Sequence, residues 1–184
     1  MTESAIHTDF AVIGSGATGM AAALTAAEAG AEVTLFEKMR NLGGVSNFAE
    51  GMFAVESNMQ RQQYVSYTRD DAFKTIMEYS HWRANPRLVR AFVNESGATV
   101  EWLIEQGVEF DELTTNVPGG PLVWHVLKGP HRERASMMMK MLTDRTKQKG
   151  ADIRLATPVK RLMKKGGKIT GAVAEKDGEM VQVH

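Results

Sequence analysis

The chain has 184 residues, of which 43% are hydrophobic and 24% are charged, as is usual for a globular domain. Its 22 basic residues balance 22 acidic ones, which argues against nucleic acid as a partner because phosphate-driven binding needs a basic excess. Cysteine is absent, so disulfides, redox dithiols and cysteine-ligated iron–sulfur clusters are excluded within this chain. No run reaches the roughly 18 apolar residues of a transmembrane helix, and residues 1–9 are too polar for a signal peptide. We therefore expect one soluble domain in the cytoplasm.

The first predicted element is a strand that leads directly into a glycine-rich turn. Residues 10–13 form a continuous apolar run, which predicts a strand buried on both faces of a parallel sheet. The turn Gly-Ser-Gly-Ala-Thr-Gly follows at residues 14–19. In a dinucleotide-binding turn, Gly14 permits the tight bend, Gly16 lets the backbone approach a pyrophosphate, and Gly19 lets the next helix pack closely on the strand.

A helix is predicted from about residue 17 to residue 29, so that its first amides, at Ala17 and Thr18, face the phosphates. Gly30 ends this helix, and a second strand leads to Glu37, whose carboxylate can accept hydrogen bonds from ribose hydroxyls. The same acid disfavours NADP because it would repel a 2′-phosphate. A tight turn without nucleotide would explain the six residues alone, but not their spacing to the second strand and its acid. FAD and NAD both stay open at this point.

The residues after Glu37 carry a resemblance to a known family. The chain continues with Lys38, a Gly43-Gly44 pair, the small hydroxyl of Ser46 and an Ala-x-Gly element ending at Gly51. This pattern resembles the FAD-binding part of the fumarate reductase and succinate dehydrogenase flavoproteins, with flavocytochrome-type fumarate reductases and 3-ketosteroid dehydrogenases among the relatives. The resemblance covers nearly the whole chain and implies that this loop wraps the flavin. The predicted cofactor-binding residues are Gly14, Gly16, Ala17, Thr18, Gly19, Glu37, Lys38, Gly43, Gly44, Ser46, Gly51 and Val159.

The loop also departs from the family pattern. Many relatives have Asn where this chain has Val45 and a second Gly where it has Met52. Family members that tether FAD covalently use a His in this loop, whereas Asn47 lies near that position here. We therefore expect non-covalent FAD. From the residues alone, a flexible glycine-rich surface loop is the alternative interpretation.

The middle of the chain is predicted to be helical scaffold. A helix is expected over residues 70–82, and Asn85-Pro86 looks like the start of a second one. Helical spacing then continues to residue 104 with a lapse at Ser96-Gly97, which predicts a bend or two abutting helices. A short strand follows near Glu109-Phe110.

Residues 114–131 read as a long connection without helical period, a length at which loops tend to be functional or mobile. They contain His125 and His131, which could carry protons or bind a metal. No acid or cysteine stands at ligand spacing beside them, so we expect packing or surface roles and predict no metal site.

The last third returns to the sheet. A helix is predicted over residues 133–149, and its Met137, Met138, Met139 and Met141 are expected to fill the core rather than to bind a soft metal. Residues 153–156 form the third parallel strand. Gly166-Gly167 and Asp177-Gly178 are two-residue hairpin signals, which predict an antiparallel meander over residues 159–183. The resemblance places the adenine at Val159, and an NAD-only enzyme would more often continue with βαβ units, so FAD is favoured.

Together these elements predict the α/β class, with a Rossmann-like FAD-binding domain of glutathione-reductase type: a parallel sheet with helices plus an antiparallel β-meander. We expect a dinucleotide grip and flavin loop in residues 1–56, a helical insertion in residues 57–150, and the third strand with the meander in residues 151–184. The resemblance implies that the domain is incomplete, with the capping domain absent. It also implies that catalytic residues come from later parts of such proteins, so none is assigned.

The predicted function is the FAD-binding portion of a flavin-dependent oxidoreductase that acts on a C=C or CH–CH bond next to a carbonyl. The resemblance implies an unsaturated acid such as fumarate, or a ketosteroid, as substrate, and a separate electron-transfer partner. This chain alone is expected to be inactive and, with an unpaired sheet edge, to self-associate. The alternatives are a short non-catalytic FAD- or nucleotide-binding module or subunit, and an NAD-dependent dehydrogenase.

Overall fold

A computed structural model describes residues 5–184, which form two compact units. The first unit comprises the chain up to Phe48 together with Ser136–His184, and the second comprises Ala49–Ala135. The prediction that residues 1–9 are too polar to be a signal peptide concerns in part the first four residues, which lie outside the described part. In chain order the elements are β1 (Phe10–Ile13), α1 (Ala17–Glu28), β2 (Val33–Phe36), a 3₁₀ helix (Gly44–Phe48), β3 (Gly51–Phe53), α2 (Asn58–Gln62), α3 (Arg69–Tyr79), α4 (Pro86–Glu105), β4 (Phe110–Thr114), β5 (Trp124–Leu127), α5 (Arg134–Gln148), β6 (Asp152–Arg154), β7 (Val159–Lys165), β8 (Lys168–Lys176) and β9 (Glu179–Val183).

The first unit is built on the predicted three-stranded parallel sheet, in the order β1-β2-β6. All four residues of the central strand β2 are buried. The prediction that β1 is buried on both faces is wrong, because Phe10 is 55% and Ile13 is 53% exposed. The physical reason is that β1 lies at the edge of this sheet, and an apolar run does not reveal a strand's place in the order.

Helix α1 follows the predicted bounds and packs one face inward. Its buried residues recur at helical spacing, and Gly30 ends it with a φ of +84°. A Cβ placed on Gly19 would come within 2.0 Å of the Gly14 carbonyl oxygen. Gly19 is therefore required for the helix to approach the turn as closely as it does. The buried residues of α1 are Met20, Ala23, Leu24 and Ala27.

The predicted meander is confirmed, with β7 pairing to β8 and β8 to β9, all antiparallel. The turns at Gly166-Gly167 and Asp177-Gly178 have positive φ at both residues, as two-residue hairpin loops of type I′ require. Strand β7 is largely exposed, as its run of basic residues predicts. A core cluster under the meander consists of Ile6, Phe36, Ala172, Ala174, Val181 and Val183.

The second unit contains a sheet as well as helices, so its description as a helical insertion is incomplete. Strands β3, β5 and β4 form an antiparallel sheet in that order. Strand β4 confirms the short strand predicted near Glu109-Phe110. The predicted long connection over residues 114–131 is wrong at residues 124–127, where β5 forms the central strand. This strand pairs with β3, which is distant in sequence, and with β4, from which residues 115–123 separate it, a connection too long for a two-residue hairpin signal.

Helix α4 is one continuous helix, so the alternative of two abutting helices is wrong. Asn85 caps it by accepting a hydrogen bond from Arg87 N at 3.0 Å, as predicted. The lapse in its apolar pattern has a packing cause. Ser96 Oγ accepts a hydrogen bond from Val55 N at 3.1 Å, and a Cβ on Gly97 would lie 2.6 Å from the Val55 carbonyl oxygen.

Helix α5 confirms the predicted return to the sheet. Met138 and Met139 are buried as expected, while Met137 is about half exposed. Within the described residues, none of the helices combines the length and the apolar character needed to cross a membrane.

Candidate cofactor site

A cleft of about 160 Å³ lies at the carboxyl ends of β1 and β2, in the first unit. Ligands of open α/β sheets bind at this end of the strands. The cleft brings together four predicted site residues from three separate parts of the sequence. Its lining consists of Ile13, Gly14, Phe36, Glu37, Lys38, Pro158 and Val159.

In the glycine turn beside this cleft, Gly14 and Gly16 are glycine for two different reasons. Gly14 has a φ of +95°, and its amide donates to the Phe36 carbonyl at 2.8 Å, which fixes the turn on β2. Gly16 has an ordinary φ of −62°, and a Cβ there would meet only Ser46 Oγ, at an unstrained 3.7 Å. Packing within the protein therefore does not require glycine at residue 16, whereas a close approach of the backbone to a ligand phosphate does.

The N-terminus of α1 has the chemistry of an anion site. Its N-cap, Gly16, supplies no side-chain cap, and the first turn carries no acid. Ala17 N donates to Ser46 Oγ at 3.0 Å, and a hydroxyl that accepts one bond can still donate its own proton to an anion. The predicted residues Thr18 and Gly19 lie in this same first turn. The predicted contributors from the turn and the loop therefore meet at the start of this helix.

Glu37 is buried and held by three hydrogen bonds. Its Oε2 accepts from Ser15 N at 2.9 Å and from Ser15 Oγ at 2.5 Å, and its Oε1 accepts from Met39 N at 2.8 Å. Burial raises the pKa of this carboxyl, but the hydrogen bonds from Ser15 and Met39 and the charge of Lys38 outweigh it, so the pKa is lowered overall. The carboxylate is therefore ionised at neutral pH, as an acceptor for ribose hydroxyls must be.

Ser15 is a site residue that sequence reasoning missed. Its buried hydroxyl accepts a hydrogen bond from Gly43 N at 3.1 Å in addition to its bond to Glu37. A serine between two glycines gives no signal of this, because both partners are remote in sequence. The one signal in the sequence was the hydroxyl group of Ser15, which can both donate and accept a hydrogen bond, as most side chains cannot.

The loop after Glu37 is tightly folded around its glycines. Gly43 has a φ of +95°, and a Cβ there would collide with the Asn47 side chain at 2.2 Å. Asn47 Nδ2 in turn donates to the Leu42 carbonyl at 2.8 Å. Gly44 begins the 3₁₀ helix, also with positive φ, and Val45 beside it is largely exposed. Asn47 thus closes the loop on itself, so the loop is more ordered than a flexible glycine-rich segment.

Gly51 is the one predicted site residue that belongs to the second unit. It pairs with Val126 across β3 and β5, and a Cβ there would lie 2.4 Å from the His125 carbonyl oxygen. Its own sheet therefore explains the glycine. A role for Gly51 toward the cofactor stays a prediction.

The two histidines of the predicted connection, His125 and His131, differ in burial. His125 is fully buried in β5, with Nε2 2.7 Å from Ser57 Oγ and Nδ1 3.3 Å from the Val123 carbonyl. Burial lowers its pKa, which favours the neutral ring. His131 is exposed in the loop before α5. Among residues 5–184, no group of three His, Asp or Glu side chains is placed to hold a metal ion.

Comparison with known families identifies this arrangement. A family model described as an FAD binding domain matches residues 9–184. The chain belongs to this family. FAD, rather than NAD, is therefore its cofactor, and the predicted fold class is confirmed.

The relatives agree with the resemblance drawn from the motifs. The chain is 44% identical over 121 residues to the vinyl phenol reductase of Lactiplantibacillus plantarum, which covers 66% of this chain and 24% of that protein. It is 29% identical over 182 residues to the NADH:fumarate oxidoreductase of Klebsiella pneumoniae, which covers 95% of this chain and 19% of that protein. The chain thus spans only about a fifth to a quarter of these relatives.

A solved structure confirms the fold over the full length. The 3-ketosteroid-Δ4-(5α)-dehydrogenase from Rhodococcus jostii RHA1 superposes with a TM-score of 0.86 at 22% identity, covering 100% of this chain and 45% of that one. This neighbour therefore confirms the fold, while the relative named for fumarate agrees with the resemblance to the fumarate reductase family.

Proposed function

We propose that this chain is the FAD-binding portion of a flavin-dependent oxidoreductase that acts on a C=C or CH–CH bond next to a carbonyl. The observation that carries the proposal is the cleft in which Gly14, Glu37 and Val159 meet beside the start of α1, where the N-cap Gly16 has no side chain. The relatives named for fumarate and vinyl phenol support an unsaturated substrate. The neighbour named for a ketosteroid keeps that class as the second possibility.

In this proposal the first unit holds the adenosine diphosphate half of FAD. The amides of Gly16 and Thr18 bind the pyrophosphate. The Ala17 amide is committed to Ser46 Oγ, so the predicted residue Ala17 acts through Ser46, whose hydroxyl donates its own proton to the pyrophosphate. Glu37 accepts the ribose hydroxyls, and Val159 contacts the adenine. Gly43, Gly44 and Lys38 border the part of the cofactor nearer the flavin.

Two properties of this chain bear on how FAD is held. Residues 38–51 contain no His, Cys or Tyr, which supports non-covalent binding. When bound, FAD supplies the hydride chemistry, while the protein orients it and sets its surroundings. No described residue is assigned to proton transfer. Because the chain spans only a part of its relatives, we expect little or no reductase turnover from these 184 residues alone.

The alternative function is a short non-catalytic FAD-binding module that works through partners. The edge strand β1 favours it, since β1 pairs with β2 on one side only in this sheet and the side chains of Phe10 and Ile13 leave apolar surface there. We propose self-association through this edge. Sedimentation velocity at micromolar concentration should show dimers or larger species for the wild-type chain and mainly monomer for Ile13→Lys. A monomeric wild type would contradict it. An electron-transfer partner and a cytoplasmic location also stay predictions.

Titration of the purified chain with FAD tests the main proposal. We expect quenching of flavin fluorescence with a saturable, single-site curve, and no comparable binding of NADH. Glu37→Ala should weaken FAD binding by roughly tenfold or more, because the ribose hydroxyl would lose a charge-assisted hydrogen bond. Lys164→Ala, on the exposed strand β7, is the matched control and should bind like the wild type. Uptake of NADH without uptake of FAD would overturn the proposal.

A further inference from the structure

Ser15 joins three parts of the first unit that are far apart in sequence. It lies in the glycine turn, Glu37 closes β2, and Gly43 belongs to the following loop. The hydroxyl donates to Glu37 Oε2 at 2.5 Å and accepts from Gly43 N at 3.1 Å. The side chain is completely buried. A hydroxyl has one proton, and here that proton is committed to the carboxylate.

The geometry makes Ser15 the main restraint on the Glu37 carboxylate. Both the amide and the hydroxyl of Ser15 bind the same oxygen, and Met39 N holds the other. A carboxylate offers about four acceptor positions, of which the protein uses three. The fourth acceptor position is unused, and Glu37 lines the cleft, so this position can accept a hydrogen bond from a ligand. Glu37 thus enters any cofactor contact with its orientation already set.

Removing the hydroxyl would disturb both partners. The Gly43 amide would lose its acceptor, and the carboxylate would lose its shortest hydrogen bond. Buried polar groups that lose a partner bear the full cost of desolvation. The loop and the acid could then move independently of the turn. The cofactor would have to order them on binding, at the expense of affinity.

We propose that Ser15 is a positioning residue for FAD, whose hydroxyl locks Glu37 and the Gly43 loop to the glycine turn before the cofactor binds. Ser15 acts through these two partners and does not contact the cofactor through its side chain. This inference rests on the FAD binding proposed above. It adds a residue that neither the turn motif nor the family loop pattern singles out.

Fluorescence titration of the full chain with FAD, at neutral pH, tests the proposal. Ser15→Ala should raise the Kd about tenfold, as expected for one charge-assisted hydrogen bond. Thr25→Ala is the matched control, because Thr25 lies exposed on α1 away from the cleft, and it should bind within about twofold of wild type. An unchanged Kd for Ser15→Ala would overturn the proposal. A wild type that fails to bind FAD would instead overturn the proposed function, and this inference with it.

The pH profile separates positioning from a merely structural role. The hydrogen bond from the Ser15 hydroxyl helps to lower the pKa of Glu37, so its loss in Ser15→Ala should move the acid limb of FAD binding to higher pH, while the backbone amide of residue 15 still donates. Among the neighbours of Glu37, Lys38 is the charged side chain that contributes to the lowered pKa of the carboxyl group. Met39 donates its amide to the carboxylate and Thr157 donates its amide to the Glu37 backbone carbonyl, and neither residue has a titratable side chain. Arg154 of the neighbouring strand pairs with Asp152. A general loosening of the fold would lower affinity without moving this limb.

A double-mutant cycle gives a second, independent readout. In the Glu37→Gln background, Ser15→Ala should change the Kd by less than about threefold, because only the effect that passes through the Gly43 loop is left. Full additivity of the two changes would overturn the proposal. If Ser15→Ala does not fold by circular dichroism, Ser15→Cys keeps the size but hydrogen-bonds weakly, and it should lose affinity in the same direction. Wild-type affinity in Ser15→Cys would overturn the role of the hydroxyl.

Discussion

Gly16 in the first unit and two glycines of the second unit are needed for different reasons, and the contrast separates a ligand-binding position from packing positions. In the second unit, a Cβ on Gly51 or Gly97 would lie 2.4 or 2.6 Å from a backbone oxygen of the same unit, so packing alone demands glycine at both positions. In the first unit, a Cβ on Gly16 would meet nothing closer than 3.7 Å, and Gly16 has an ordinary φ. A glycine that packing does not need, at the start of a helix whose N-cap supplies no side chain, indicates space kept for a ligand.

The buried ionisable groups repeat this contrast. Glu37 in the first unit is surrounded by donors and has a lowered pKa, so it stays charged. His125 in the second unit is buried between Ser57 and a backbone carbonyl, and burial lowers its pKa so that it stays neutral. A buried charge kept in a cleft is available to a ligand, whereas a buried neutral ring only ties two elements together.

The largest expected effect comes from breaking the glycine packing in each unit separately. Gly19→Ala forces a Cβ to within 2.0 Å of the Gly14 carbonyl oxygen and should cost about 3 kcal/mol of unfolding free energy and abolish FAD binding. Gly97→Ala should cost the second unit a similar amount and change the FAD Kd much less. Urea unfolding and FAD titration of both variants check this. Equal loss of FAD affinity in the two variants would erase the contrast between the units.

The next effect should separate stability from binding at a single position. Gly16→Ala keeps an allowed backbone conformation and an unstrained contact, so we expect the unfolding free energy to change by less than about 0.5 kcal/mol. The added methyl should obstruct the pyrophosphate and raise the FAD Kd about tenfold or more. Thermal unfolding and fluorescence titration are the measurements. If Gly16→Ala bound FAD with the wild-type Kd, the space beside Gly16 would not be occupied by the pyrophosphate, which would contradict the account.

The smallest effect concerns pH and should be confined to the second unit. Because the folded-state pKa of His125 is lowered, the unfolded chain takes up the proton first, and stability should fall as pH drops below the ordinary histidine range near 6.5. The nearby charge of Glu101 opposes this shift without cancelling it. All three tryptophans, Trp82, Trp102 and Trp124, lie in the second unit, so their fluorescence in urea reports on it.

A matched pair of variants isolates this pH effect. His125→Gln should remove the extra loss of stability at acid pH, while His131→Gln, an exposed control, should keep it. The same acid dependence in wild type and His125→Gln would assign it to another group.

Much of the first unit could be predicted because its signals are local. Gly14 in the turn, the helix stop at Gly30 and the hairpin pairs such as Asp177-Gly178 each require a backbone conformation that few residues adopt. The strand, helix and meander bounds follow from them. The edge position of β1 could not be predicted, because strand order depends on partners distant in sequence rather than on the apolar run itself.

Two features, the hydrogen bonds of Ser15 and strand β5, could not be predicted because neither has a local pattern in the sequence. Ser15 binds Glu37 and Gly43 across 22 and 28 residues, and no local pattern announces either bond. Strand β5 is defined by pairing with β3 and β4, which lie on either side of a long helical stretch. Its residues, including His125, therefore read as part of a connection.

The central claim is that the first unit grips the adenosine diphosphate half of FAD through the α1 amides and Glu37. Amide chemical-shift mapping of the ¹⁵N-labelled chain with saturating ADP tests it most directly. We predict the largest shifts at residues 14–19 and at Glu37, Lys38 and Val159, with little change in β3, β4 and β5. Shifts concentrated in the second unit, or none at residues 14–19, would contradict the account.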